Sequence, residues 1–436
     1  MKSTTKLLLP VMALFSHNSH AFDWLFEPNF GASERYTDNL RMQINPARDN
    51  FITTLSPGIL LGYIAENHTL NTTFKWNELI YHGESDLNFS EKIANLKQDY
   101  FGERFKAELS AQYAEQSTIN TQLDLTDNAF NLQIQIPRTS ISFSPTFTYN
   151  FDERNALQLA YNYTDVSYEK TPGLTTSRAF SDYRNQQYSG TYTHSFTERF
   201  SLNLTGAYAL FSTAGDNPPG VLRIPPFRFP VESSFSQEAS TFNYQAGFQY
   251  AYDERTRVSL SAGIRDTSTD SSVTQNIDFL GLPPELFGFS QQPTVSDQSF
   301  KTSGNVFSGN FNRKYDWGSI DLNGARQLSP ASTAGQRNTT SFSASANYAI
   351  SERWSSGIKA DYLLSESIGT NNNAINNSRT MISLTPNIQW LWTPEIRLSL
   401  SYTYRQLEFG SINDTAFGNN LQLQFSYQPQ INRQVK

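Results

Sequence analysis

The sequence predicts an all-β fold: a closed antiparallel transmembrane β-barrel of about 18 strands, with 16 as the alternative count. Three observations point there. Apolar and polar residues alternate with period two from near residue 24 to near residue 427, and successive side chains of a strand face opposite ways. A short polar turn recurs eight times between these runs. The N-terminus carries an export signal, and no later segment approaches the ~18 apolar residues that a spanning helix needs.

The alternation is clearest over 132–163. Ile141, Phe143, Phe147, Tyr149 and Phe151 stand apart from Ser142, Ser144, Thr146, Thr148 and Asn150. Asp152-Glu153-Arg154-Asn155 then breaks the run, which resumes at Leu157, Leu159, Tyr161 and Tyr163. A four-residue polar break between two alternating runs is a hairpin. Related turns stand at Glu103-Arg104, Glu198-Arg199, Glu254-Arg255 and Glu352-Arg353, with looser forms at 66–68, 315–318 and 393–395. A lone hairpin cannot bury its apolar face, so a run of them must form one sheet.

Taken in order, strands are expected at about 24–34, 51–64, 68–81, 87–100, 104–117, 130–151, 157–168, 180–196 and 200–211. The Ser56-Pro57-Gly58 triplet predicts a bend or bulge, since proline lacks a ladder donor. Pro137 and Pro145 predict a kinked upper part of the sixth strand. Segments 215–232 and 270–297 read as long Pro-rich and aromatic insertions, with strands 242–252 and 258–267 between them. Further strands are expected at about 299–314, 318–328, 339–350, 354–366, 380–392, 396–409 and 418–428. Eight turns near 67, 103, 153, 198, 254, 316, 352 and 394 join sixteen strands, and one more at each end makes 18. That number is even, so both termini lie on one side, with short turns in the periplasm and longer loops outside. Phe105, Phe151, Phe196, Phe200, Trp317, Trp354, Trp390 and Trp392 beside the turns suit a lower aromatic girdle.

Composition agrees. The 436 residues would suffice for two or three soluble domains, yet no shift in composition marks a boundary. Aromatics make up 14% of the chain while mean hydropathy is −0.51. The apolar positions are thus largely Phe and Tyr, and the opposite face is Ser, Thr, Asn and Gln. Lys2 and Lys6, the apolar run 7–15 and Ser19-His20-Ala21 read as a signal peptide over 1–21. The barrel then covers 22–428, and 429–436 is a short periplasmic tail. There is no cysteine, which excludes disulfides and a lipid anchor on a cysteine.

Inward candidates are Ser142, Thr146, Asn203, Thr205, Gln245, Ser259, Ser343, Asn347, Gln422 and Gln424. Such a wall holds water or a polar solute, and 16 to 18 strands leave a lumen unless loops fill it. Whether 215–232 and 270–297 plug it stays open. The formal charge of −7 becomes about −9 without Lys2 and Lys6, and no basic run favours nucleic acid. No arginine or lysine ladder is visible. Of three histidines beyond the signal, His68 and His82 lie near strand ends, and His194 has Ser189 and Ser195 nearby in sequence but no nucleophile motif. No catalytic, cofactor or metal residues are assigned. Asp38-Asn39 and the Asp297 region are too weak a signal for calcium.

Tyr36-Thr37-Asp38-Asn39, Phe51-Ile52-Thr53 and Ser56-Pro57-Gly58-Ile59 resemble the start of a group of Gram-negative outer-membrane barrels. These are the porin-like barrels associated with exopolysaccharide and PEP-CTERM protein-sorting gene clusters. The motif match covers fewer than about 40 residues, and the rest matches as architecture only. The resemblance implies an outer-membrane location, lipid as surroundings and surface polysaccharide or export machinery as partners. It supplies no catalytic residues. The expected function is therefore a channel or export-associated pore. A plugged structural or surface-binding barrel is the alternative, and an outer-membrane hydrolase a third reading. The last aromatic, Tyr427, is followed by nine further residues, unlike barrels that end on an aromatic.

Overall fold

The computed structural model describes residues 23–121, 135–169, 180–216, 220–289, 293–331, 335–368, 378–410 and 413–429. The signal peptide over 1–21 and nearly all of the tail lie outside these residues, as do residues 130–134 of the sixth expected strand. The first nine strands are β1 Asp23–Thr37, β2 Asn50–Ile64, β3 His68–Tyr81, β4 Phe89–Phe101, β5 Phe105–Ser117, β6 Pro137–Asn150, β7 Asn155–Tyr168, β8 Tyr183–Ser195 and β9 Phe200–Asp216. The other ten are β10 Gly220–Ile224, β11 Phe227–Ala251, β12 Thr256–Ile277, β13 Thr294–Tyr315, β14 Gly318–Ala331, β15 Gly335–Ala349, β16 Trp354–Ser367, β17 Arg379–Leu391, β18 Ile396–Phe409 and β19 Asp414–Tyr427. β10 is a short extra strand that, among the described residues, pairs with β11 alone. The other 18 pair antiparallel with their neighbours all the way round, and β1 closes on β19 from Phe30↔Tyr427 to Thr37↔Asn420.

A typical strand here has 14 residues. At about 3.3 Å per residue and a tilt of about 40°, that rises roughly 35 Å, enough to cross a bilayer core of about 30 Å. Eighteen such strands spaced about 4.8 Å apart give a wall roughly 35 Å across, wider than side chains alone can fill. The register places Leu204, Tyr244, Leu260, Leu322, Ile358 and Leu400 on one continuous outer face, all exposed. Only a lipid solvent makes such a belt stable, and only a closed barrel satisfies its backbone there. The protein is an outer-membrane barrel.

All eight turns lie where the sequence puts them, and several of them share a chemical device. In these the first turn residue accepts hydrogen bonds from backbone N–H groups two or three positions on. Asp152 Oδ1 accepts from Arg154 and Asn155, each at 2.8 Å. Thr197 does so from Arg199 and Phe200, Ser351 from Arg353 and Trp354, and Thr393 from Glu395 and Ile396. This side-chain turn fixes the loop without glycine. Beside the turns the aromatics form a girdle: Trp354 stacks on Trp390 at 5.5 Å and Trp390 on Trp392 at 6.1 Å, while Phe196, Phe200 and Tyr250 form a second group.

Asp152 supplies a pH test. The Asn155 side-chain amide at 2.8 and 2.9 Å, with the two backbone donors, favours the carboxylate and holds its pKa below the ordinary value. Its stabilising contribution is present above the ordinary carboxylate pKa and is lost as pH falls through the lowered folded-state value. Melting temperature followed into the acid range should fall further for the wild type than for Asp152→Ala. Parallel curves would mean that this turn does not titrate with folding.

The structure corrects three expectations. Pro57 makes no bulge. The β1–β2 ladder runs through it unbroken, and the β2–β3 register is the same on both sides, Leu55↔Glu78 and Gly58↔Lys75. The β3 ladder merely skips Ser56 and Pro57. Pro145 in β6 does the same toward β7, and Pro386 in β17 toward β18, so an outward proline costs a rung without a change of register. Second, 215–232 is a strand hairpin rather than a loop: β9 continues to Asp216, and β10 folds back on β11 about Pro225 and Pro226. Third, much of 270–297 is strand, because the Ser/Thr/Val alternation carries β12 on to Ile277 and starts β13 at Thr294. β11, β12 and β13, with 25, 22 and 22 residues, therefore rise past the rim as a ribbon with ~25–35 Å of extra strand. Its end is a ring cluster of Phe227, Phe229, Phe279, Phe287 and Phe289, with centroids 4.9–5.8 Å apart.

Candidate functional site

In the periplasmic half, the inner face is polar rung after rung. All ten predicted inward residues lie on it by register. Neighbours bond sideways along the wall: Gln112 donates to Asn95 at 2.9 Å, Thr191 meets Thr205 at 2.9 Å, Ser261 meets Ser308 at 2.7 Å, and Thr385 donates to Thr403 at 3.1 Å. Hydroxyls and amides each carry more hydrogen-bonding capacity than one such contact uses, so the wall also wets.

The extracellular half is different. Three apolar clusters sit on its inner side. Ile136, Val166, Tyr168, Phe180, Tyr183 and Phe211, with Ala239, form one group along β6–β11. The 38–49 loop reaches the other two. Its Leu40 packs with Ile52, Leu79, Tyr81, Leu87 and Ile119, and its Met42 packs with Leu363, Met381, Leu407 and Ala416. These partners lie on opposite sides of the β1–β19 seam, so the loop spans the inside of the mouth. Asp38 accepts from Asn419 N at 2.7 Å and Nδ2 at 2.6 Å, and Asn39 Nδ2 donates to Phe417 O at 2.8 Å. That answers the calcium question for Asp38-Asn39: the pair is a clasp. Met42 holds a left-handed backbone, φ 46°, and packs close over Gly418, where a Cβ would lie 2.7 Å from its sulfur and push the thioether aside.

A second element narrows the mouth. β13 and β14 part above Phe307↔Arg326. The upper β14–β15 hairpin then packs against the inner face of the ribbon, where Arg265 of β12 donates to Asn338 of β15 at 2.5 Å. Arg326 pairs with Glu366 at 3.1 Å in the same layer.

Three arginines on the inner face of this half escape a reading of the sequence. Arg337 of β15 donates to Ser365 Oγ at 2.6 Å and Ser367 Oγ at 3.2 Å. Arg379 of β17 lies over the Phe409 ring at 5.5 Å. Arg405 of β18 shares that face by register with Ser383 and Gly418. Arg337 and Arg379 are each the single charge of their strand, while β18 also carries Arg397 and Glu408, and only the register collects the three.

The histidines assemble no relay. His194 points outward to Asn155 Oδ1 at 2.8 Å, while Ser189 and Ser195 occupy the opposite face of β8. His68 meets Tyr63 at 2.8 Å and Gln98 at 3.0 Å on the outer side. His82 does meet Thr53 at 2.8 Å, but Glu34 takes the hydroxyl's other side, at 2.5 Å, instead of orienting the ring. An acid so placed competes for the nucleophile's proton and does not support the base. Among the described residues, no group of three His, Cys, Asp or Glu could hold a metal. A concavity of about 1730 Å³ lies on the lipid side of the periplasmic half, lined by outward residues including Trp24, Tyr63, Phe105, Phe147, Tyr188 and Tyr244. Its apolar lining belongs with lipid and not with the polar lumen.

No protein-family model and no curated protein matches the chain. Solved structures with a similar form include the ferric-catecholate import receptor Fiu of E. coli K12, at 9% identity and TM-score 0.49, covering 92% of this chain and 81% of that one. A FadL homologue of Pseudomonas aeruginosa matches at 10% identity and TM-score 0.41, covering 94% and 90%. The outer membrane protein opdK of the same organism matches at 9% and 0.39, covering 93% and 99%.

Proposed function

We propose that this barrel is a passage for polar solutes across the outer membrane. The observation behind it is the closed 18-strand wall with a continuous polar inner face in its periplasmic half. A wall this wide, wetted by amides and hydroxyls, is the architecture of a conduit. Delivery by a signal peptide ending at Ala21, and a periplasmic tail after the last strand, complete the reading. The resemblance at residues 36–59 favours a surface polysaccharide, or its export machinery, as the associated partner.

Purified protein in planar bilayers should give stable conductance steps. Folded barrels that insert and stay silent would overturn an open conduit. A gated or plugged barrel is the second reading, and the specific observation in its favour is the 38–49 loop seated inside the mouth through Leu40 and Met42.

A further inference from the structure

Half of the wall presents the lumen with an almost uncharged face. On β6–β9 and β11–β15 the register turns asparagine, glutamine, serine or threonine inward at most rungs below the mouth. Charged side chains on this inner face stand at its two ends. Arg257 and Lys314 lie beside the periplasmic turns, and Arg138, Arg265 and Arg337 lie at the mouth. Between them, the one charged group at the described inward positions is Asp321, which accepts from Asn312 and Ser319. No aromatic ring stands at those inward positions either. The other half of the wall is where lysines and carboxylates enter the lumen, several as pairs along one strand. Lys97 meets Asp99 at 3.7 Å, Lys106 meets Glu108 at 2.7 Å and Lys359 meets Asp361 at 2.9 Å.

The neutral face is fixed by its own hydrogen bonds. Ser261 donates to Gln245 Oε1 at 3.1 Å and meets Ser308 at 2.7 Å, which links β11, β12 and β13. Asn310 donates to Asn323 Oδ1 at 2.5 Å across β13 and β14, so Asn323 keeps both amide hydrogens for the lumen. Among the described residues, the amides of Asn203 and Asn347 have no protein partner. Each amide offers donors and acceptors together, which matches a hydroxyl group and gives an ion no counter-charge. Inward side chains repeat at every second residue, about 6.6 Å along a strand and about 5 Å along the barrel axis at a tilt of about 40°. That spacing is close to the length of one ring in an extended sugar chain. Without aromatic faces to stack on, such a chain is held by many weak edge contacts, and weak multi-site binding lets a solute leave as well as enter. We propose that the inner face of β6–β9 and β11–β15 is a track for neutral hydroxylated chains, oligosaccharides without acidic groups, with Gln245, Asn323 and Asn347 among its contact residues. This deepens the conduit reading and rests on it.

Block of the barrel's KCl current in planar bilayers tests the track. Maltohexaose should reduce the current at a concentration severalfold below that needed for hexagalacturonate, or for a polyethylene glycol of equal size, whose chain has acceptors and no donors. Gln245→Leu/Asn323→Leu/Asn347→Leu should raise the half-blocking concentration of maltohexaose severalfold and leave KCl conductance near the wild-type level. Three leucines in a wetted wall burden folding, so alanine at the same positions is the second variant, with the same loss expected. Ser401→Leu/Gln422→Leu/Gln424→Leu, on the opposite arc, should change the block little. Equal block by hexagalacturonate or polyethylene glycol, or an equal loss from the two arcs, overturns the track. Saturation-transfer NMR on the full chain in an amine-oxide detergent, which carries no sugar of its own, separates the two readings. A barrel silent in bilayers that still transfers saturation to maltohexaose, and does so less in the leucine or alanine variant, removes the conduit reading and keeps the track. A barrel that conducts while maltohexaose neither blocks it nor receives saturation keeps the conduit and overturns the track, while silence with no transfer removes both.

Discussion

Replacing Leu204 by arginine should cost about 2–4 kcal/mol of barrel stability, while replacing the adjacent Thr205 should cost little. The two residues share a strand and differ only in the face they present. Leu204 is 61% exposed on the outer belt, and its register partners are Tyr192 and Ala246. An ionised guanidinium there must be held in hydrocarbon or drag water and headgroups toward it. Thr205 faces the lumen, where it meets Thr191 and where water can solvate a longer polar side chain. Equilibrium urea unfolding in lipid vesicles would read the difference. Equal losses at both positions, or a larger loss at Thr205, would invert the assignment of faces.

The second large effect concerns the loop inside the mouth. Leu40→Ala/Met42→Ala should release the 38–49 loop and raise single-channel conductance severalfold. Leu40 is 6% exposed and Met42 3%, and truncating such buried side chains typically costs about 2–5 kcal/mol each. The cost should fall toward the lower end here, because a freed loop collapses or leaves rather than holding a cavity open. Excising the β10 hairpin with residues 217–230 is the comparison. That hairpin extends the ribbon beyond the rim, so its loss should leave conductance near the wild-type level. If excision raised conductance while the loop variant did not, the ribbon would be the closing element.

Much of the wall was legible in the sequence, and the reasons are local. Strand faces follow from side-chain alternation, which needs no knowledge of partners, and β3 and β18 lie where the alternation put them. Several turns were legible because one side chain, such as Asp152 or Ser351, makes the turn by itself. What was hidden depends on distant contacts. Leu40 and Met42 look like ordinary loop residues until their partners on β2, β3, β16 and β17 are known. The ribbon was misread because Pro225 and Pro226 signal a loop, while the flanking Ser/Thr alternation, weak in hydrophobicity, still builds strand. Arg337, Arg379 and Arg405 carry no signature at all in linear order, since they lie on three different strands that only the register brings to one face.

The closure between the first and last strands has a consequence for how the molecule is made. β1 and β19 share eight paired positions, whereas β1 and β2 share fifteen. The shorter join also needs both ends of the chain, so no partly assembled wall contains it. In loop-closure entropy the penalty is mild: joining ends ~400 residues apart costs only about 2 kcal/mol more than closing a hairpin of ~30. Until it forms, however, both outer strands are open edges, able to pair with any other chain. The Asp38–Asn419 clasp sits at the extracellular end of that join. It adds side-chain reinforcement to the wall join with the fewest paired positions, and that join is the line along which the finished barrel should first come apart under load.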